Sequence, residues 1–359
     1  MTVYIVDIEA VDTRYTKQWK EHLPEQMQRA LLSDSVVLDE VVVISGGDVP
    51  QSTTPGAFLN FGGTNVYKSN QLMQIAELFC NGKVKDGDYF LYTDAWNPTV
   101  IQLKYMAELL RVNIRIGGMW HAGSYDPHDF LGRLIGDAPW VRQAEQSMYH
   151  CYDDNFFATK FHVELFAKTF KNNYDYTVNH PKIVGWPMEY LRNSLTAYAG
   201  MEKRNLILFP HRIAPEKQVD IFRDLKETMV EYEFVICQEQ QLTKNEYHNL
   251  LGESKLVFSA NLQETLGISW YEGALVNSIP MVPDRLSYSE MAVGEFLYPS
   301  EWTESYDKYL QHKDQVVARI RDYMENYTKF LPAIHTQVKR LETDFFSGQA
   351  LYKRIRESI

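Results

Sequence analysis

The stretch NLQETLGISWYEGALVNSIPMVPDRLSYSEM, Asn261 to Met291, sets Glu264 and Glu272 on either side of a Thr265-Leu266-Gly267 turn. A glycine where a helix begins lets the backbone come close to a phosphate or sugar, and a helix N-terminus offers unpaired N–H groups to an anion. A helix starting near Leu266 carries Glu272 about two turns inward and leaves Glu264 in the loop. Ionised carboxylates only accept hydrogen bonds and can take two hydroxyl donors, so one glutamate suits sugar hydroxyls and the other the vicinal diol of a ribose. The alternative makes Glu264 a helix N-terminal charge and Glu272 the buried partner of an arginine.

Outward from this stretch, short β-rich runs alternate with helix-like segments, the pattern of βα units and parallel sheets. VYIVDI (3–8), VVVIS (41–45), YFLYTD (89–94) and VNIRIGGMW (112–120) read as buried strands, with helical spacing over 16–32, 67–79 and 99–110. A second series, NLILFPHR (205–212), EFVICQ (233–238), KLVFSA (255–260) and IPMVPD (279–284), follows a break at Gly185 and Pro187. The expectation is an α/β chain of two similar halves, 1–185 and 186–340, with a C-terminal helix, 341–359, packing back on the first. In such sheets ligands bind beyond the carboxyl ends of the strands.

Composition sets the bounds. The chain has 359 residues, 45% hydrophobic and 23% charged, so it is expected to be globular throughout. A formal charge of -11 argues against wholesale coating of a polyanion, though confined phosphate contacts stay open. Cys80, Cys151 and Cys237 lack metal-ligand spacing and fit a reducing compartment. No leader and no membrane-spanning run is apparent, so the expected location is cytoplasmic, without membrane insertion.

The loop PHRIAPEKQVDIF places Arg212 and Lys217 around a turn that leads into a helix, the donors a diphosphate needs. HRIAPEK, followed by Glu264, seven intervening residues and Glu272, resembles the donor domain of GT-B glycosyltransferases, particularly the large retaining family with two glutamates at that spacing. The resemblance implies that the two halves are Rossmann-like domains facing across a cleft, 1–185 for an acceptor and 186–340 for a nucleotide sugar. It implies a nucleoside-diphosphate sugar, UDP-linked at family level, as co-substrate without a catalytic metal. It also implies Arg212 and Lys217 on the diphosphate, Thr265, Leu266 and Gly267 beside it, Glu264 on the transferred sugar and Glu272 on the ribose. The chain departs from that family at CQEQQLTKNEYH (237–248), where a glycine-rich turn is usual. VFSANLQETLG and VPDRLSYSEM look more like phage-encoded glycosyltransferases and the mannosyltransferases that decorate queuosine in tRNA.

In the first half, NFGGTNVYKSNQLMQIAELF and DYFLYTDAWNP resemble the acceptor domain of bacteriophage DNA β-glucosyltransferases, which add a sugar to the hydroxymethyl group of modified cytosine. The match rests on Asn60, Gly62, Gly63 and Asp94 and implies that Asp94 is the general base. Asp94 has a second reading, as the cap of the helix begun by NPTV. Trp96 lies in the same loop. His121, in MWHAGSYDPHDF, is a candidate for the donor sugar or phosphate, with Trp120 and Tyr125 as neighbouring acceptor-binding aromatics. The paired glutamates point to retention and an Asp94 base to inversion. The expected acceptor is modified cytosine in DNA. The rivals are tRNA queuosine, a glycan or a small molecule, and a sugar-nucleotide epimerase or non-catalytic binder on the same fold.

Overall fold

The structure is a computed structural model that describes residues 1–10, 15–32, 40–50, 52–54, 59–136, 138–170 and 181–358. The chain divides into two compact units, Met1–Ala158 with His162–Met188 and Ser347–Ile359, and Thr159–Phe161 with Glu189–Phe346.

The first unit runs β1 (Thr2–Val6), α1 (Tyr15–Leu32), β2 (Glu40–Ile44), α2 (Phe61–Cys80), β3 (Tyr89–Tyr92), α3 (Thr99–Leu110), β4 (Arg115–Trp120), α4 (Phe130–Ile135), α5 (Pro139–Cys151), β5 (Asp154–Phe157), α6 (Lys160–Phe170) and β6 (Pro181–Ile183). Its sheet is parallel, in the order β2-β1-β3-β4-β5-β6. Its central strands β1 and β3 are near-continuous apolar runs, as expected of strands covered on both faces. Val3 pairs with Tyr89 and Val6 with Tyr92, so β1 and β3 end level.

The second unit runs α7 (Tyr190–Leu195), β7 (Leu206–Phe209), α8 (Val219–Thr228), β8 (Glu233–Ile236), α9 (Lys244–Glu253), β9 (Leu256–Phe258), α10 (Ile268–Leu275), β10 (Ile279–Pro283), α11 (Tyr288–Met291), β11 (Leu297–Tyr298), α12 (Tyr306–Glu325) and α13 (Tyr327–Asp344). Its sheet is also parallel, ordered β11-β10-β9-β7-β8. Helix α14 (Gln349–Glu357) belongs to the first unit and packs on α1, with Leu351, Tyr352 and Ile355 buried and the Arg354 Nε 3.0 Å from an Asp154 oxygen.

Strand order reverses between β1 and β3 in one sheet and between β7 and β9 in the other. At such a point successive connections leave to opposite sides and open a crevice at the strand ends. Both crevices are therefore set by topology before any side chain is considered.

The eight expected strands lie where the sequence pattern puts them, from equal in length (β2) to four residues shorter (β7). Two helices differ more. α2 begins at Phe61, ahead of the apolar spacing, because Asn60 caps it. α5 was not anticipated: its buried face includes Glu145, which breaks an otherwise apolar period.

Candidate functional site

The second unit's crevice is built by the loops after β7 and β9. Pro215–Lys217 forms one tight 3₁₀ turn and Gln218 is left-handed (φ 52°), which redirects the chain into α8. The turn brings Lys217 over the loop after β9, where its ammonium donates to the Gln263 carbonyl (2.6 Å) and lies 3.4 Å from Glu264. Arg212 pairs with the buried carboxylate of Glu216, and the Glu216 carbonyl accepts the Leu262 N–H (2.8 Å), tying the two loops together. Each predicted phosphate-binding cation thus already faces a carboxylate of its own crevice.

Gly267 starts α10 at φ 82° and ψ 73°, with no side chain capping the helix. A Cβ there would sit 2.6 Å from Trp270, so the left-handed turn and the packing both require glycine. Leu266 is a core residue whose carbonyl accepts the Trp270 indole N–H (3.2 Å), and the Thr265 carbonyl accepts the Thr159 hydroxyl (3.1 Å). Leu266 therefore has no side chain to offer a ligand, and the carbonyls of both residues are already engaged. Glu272 lies one turn and a half further on. Its partner is not an arginine: the Tyr247 hydroxyl of α9 donates to Oε2 at 2.9 Å. Burial raises the Glu272 pKa, opposed by the Tyr247 hydrogen bond and the Lys244 charge.

His211 escaped the sequence reading. It is buried just past β7, edge-on to Phe209, with Nδ1 3.4 Å from the Ser269 hydroxyl in the first turn of α10. Burial pulls its pKa down to about 3, helped by the Lys217 charge and opposed by the Phe258 carbonyl, so a neutral imidazole sits at the head of α10. The only sequence signal was its position in the strand-end loop.

In the first unit, the inner face of α2 serves three carboxylates at the ends of β1 and β3. Thr64 donates to Glu9, Tyr67 and Gln71 to Asp7, and Lys68 lies 3.3 Å from Asp94. Lys20 of α1 adds an ion pair to Asp7 at 3.1 Å. Asp7, Glu9 and Lys68 had not been singled out, although DIE immediately after a strand is where this topology places functional groups.

Asp94 is held by both oxygens: Oδ2 by Lys68 and Oδ1 by the Trp96 N–H at 3.1 Å. It does not cap α3; Asn97 accepts from the Thr99 N–H there (3.2 Å). Burial pushes the Asp94 carboxyl up, but the charges of Lys68 and His121 and the Trp96 hydrogen bond outweigh it. The net is a pKa below the usual range and an ionised group at neutral pH. His121 Nε2 lies 2.6 Å from the Thr93 carbonyl, which can only accept, so Nε2 carries the proton. The ring rests against Trp19 and Trp186. Trp96 is half-buried, its indole donating to Glu145 (2.9 Å).

Gly62 and Gly63 form the first turn of α2, and the Asn60 side chain accepts the Gly63 N–H (2.8 Å). Two predicted acceptor aromatics are core residues instead. Trp120 is packed among Tyr149, Tyr152, Phe157 and Phe166 and donates to Asn155 (2.8 Å), because successive strand residues face opposite ways and His121 takes the other direction. Tyr125 is buried with its hydroxyl 2.6 Å from His162. Asp94, Trp96 and His121 are brought together; Trp120 and Tyr125 back them.

Among the described residues, no three His, Cys, Asp or Glu side chains are grouped as a metal ion would need, and no helix is long and apolar enough to cross a membrane.

No family model matches the chain, and no curated protein matches it by sequence. Solved structures do. The catalytic domain of starch synthase IV from Arabidopsis thaliana, bound to ADP and acarbose, is similar with a TM-score of 0.61 at 11% identity, over 99% of this chain and 98% of that one. Sucrose-phosphate synthase from Thermosynechococcus elongatus gives 0.58 at 10% identity over 100% of both chains. The pneumococcal O-GlcNAc transferase GtfA, in complex with UDP and GlcNAc, gives 0.53 at 13% identity over 81% of this chain, which spans 60% of that one. With two parallel α/β sheets of the orders described above, the chain has the GT-B fold.

Proposed function

We propose that the protein transfers a sugar from a nucleoside-diphosphate sugar, with UDP as carrier, to a hydroxyl acceptor. The observation that carries this reading is the second unit's crevice. Lys217 and Arg212 after β7, Glu264 after β9 and the uncapped start of α10 gather where strand order reverses, and Glu272 follows along α10. A diphosphate there replaces Glu264 and Glu216 as partner of the two cations, and the displaced Glu264 is left to accept sugar hydroxyls. Structural neighbours bound to UDP or ADP support the donor class. Asp94 is our proposed base and His121, with Nε2 committed to Thr93, the proposed partner of the transferred sugar or its phosphate.

For the acceptor we propose the hydroxymethyl group of 5-hydroxymethylcytosine in DNA, on the resemblance carried by Asn60, Gly62, Gly63 and Asp94. Trp96, half-buried beside Asp94, supports it as a plane on which an extruded base can stack. Mass analysis of hydroxymethylated DNA, tRNA and glycan acceptors incubated with UDP- and ADP-sugars tests this. Mass gain on the DNA alone is expected. Gain on tRNA or glycan instead would replace the acceptor, and donor turnover without any acceptor would favour an epimerase.

Lys217→Ala is expected to weaken nucleoside-diphosphate binding about 10- to 100-fold, the range for a charge-assisted hydrogen bond in a partly closed site. Calorimetric titration checks it. Unchanged affinity would remove the diphosphate from this crevice.

A further inference from the structure

We propose that Tyr247 is a positioning residue for nucleoside recognition: its phenol holds one oxygen of Glu272 and leaves the other to accept the ribose diol. This rests on the donor reading above. Tyr247 stands in the segment where the glycine-rich turn of similar transferases is missing.

The Tyr247 bond, 2.9 Å to Oε2, is the one hydrogen bond to the Glu272 carboxyl among the described residues. Among the described residues no ion pair reaches that carboxyl. The charge of Lys244 favours its ionised form. A half-buried carboxylate with no ion-pair partner among the described residues leans on neutral donors to stay ionised and to keep one orientation. The phenol suits this, since burial and the Glu272 charge push its own pKa well above the ordinary value and keep it a donor. Its placement is rigid, because Thr243 and Glu246 close a reciprocal cap at the start of α9: the Thr243 N–H donates to Glu246 (2.8 Å) and the Glu246 N–H to Thr243 (3.3 Å).

The arrangement has a pH consequence. The groups acting on Glu272 are Tyr247 and Lys244 of α9; the buried Cys237 after β8 in turn feels the Glu272 charge, which with burial raises its thiol pKa. Arg192 of α7 and Glu342 of α13 act on the neighbouring Tyr271 instead. Glu272 has a raised pKa, so its accepting form is lost as pH falls through that value. Removing the Tyr247 donor raises the value further, so the loss begins at higher pH.

The test compares wild type, Tyr247→Phe, Tyr247→His and Glu272→Gln in binding UDP and 2′-deoxy-UDP from about pH 4 to 9, a range that begins below the ordinary glutamate value and passes through the imidazole titration. Tyr247→Phe is expected to weaken UDP about 10-fold near neutral pH, with kcat at saturating donor unchanged. It should also reduce the preference for UDP over the deoxy analogue and move the acid limb of binding upward, and Tyr247→His, which restores a donor, should recover part of the loss. Weaker binding in Tyr247→Phe without the upward shift would make Tyr247 a packing residue and overturn the proposal. Unchanged binding in Tyr247→Phe beside weakened binding in Glu272→Gln would overturn it and leave the donor reading intact. Unchanged binding in Glu272→Gln would instead remove Glu272 from the donor site.

Discussion

Asp94→Asn is expected to slow transfer about 100- to 10,000-fold at saturating donor, the range general-base catalysis contributes, while nucleoside-diphosphate affinity stays unchanged. A carboxylate cannot deprotonate an alcohol in the ground state, so the proton must leave as the carbon–oxygen bond forms; the base need only be ionised and fixed. The structure provides both: Lys68 and the Trp96 N–H hold the two oxygens, and the net pKa lies below the usual range. The amide keeps the shape and loses the charge. A companion variant gives the sign. In Lys68→Met the ammonium that lowers the Asp94 pKa is gone, so the acid limb of the pH–rate profile should move to higher pH. Wild-type turnover in Asp94→Asn would remove Asp94 as base, and with it the argument for inversion. Retention by the paired-glutamate unit would then be the reading to pursue.

The second large effect concerns stability. Asp154, fully buried at the start of β5, accepts from Arg115 (2.9 and 3.3 Å), Tyr89 (3.2 Å) and Arg354 of α14 (3.0 Å). Asp154→Ala strips the acceptor from the buried Tyr89 hydroxyl and from two arginines that are about a third exposed, and is expected to cost about 2–4 kcal/mol, against a few tenths for a typical surface change. Thermal unfolding should show the first unit's transition lowered by roughly 10 °C. Burial pushes the Asp154 carboxyl up, but Arg115 and Arg354 outweigh it and hold the pKa below its ordinary value. The associated stability is therefore present above the unfolded-state value and is lost as pH falls through the depressed one. A variant no less stable than wild type would mean the cluster carries little net energy.

Much of the fold was legible because parallel strands covered on both faces must be continuous apolar runs, and β1, β3, β7 and β9 are such runs. The proposed donor residues stood out for a related reason: they lie in loops following those strands, where this topology places functional groups whatever the chemistry. The acceptor side was read less well. Trp120 and Tyr125 looked functional by neighbourhood, but whether a residue at a strand end faces the crevice or the core is fixed by pleat and by rings far away in sequence, such as Tyr149 and Phe166. Lys68 and Glu145 were invisible because each acquires meaning only from a partner on another element, Asp94 and Trp96 respectively. Tyr247 lay in a stretch judged by what it lacked.

Helix α14 adds a constraint of timing. Its apolar face fills the first unit's core against α1, yet residues 347–358 leave the ribosome after every residue of the second unit. During translation the second unit can complete its own core first, while the earlier-made one waits with an open seam at α1. A single cut after Met188 therefore does not yield two independent halves, whereas a fusion of 1–188 to 347–359 through a short linker is the fragment to express.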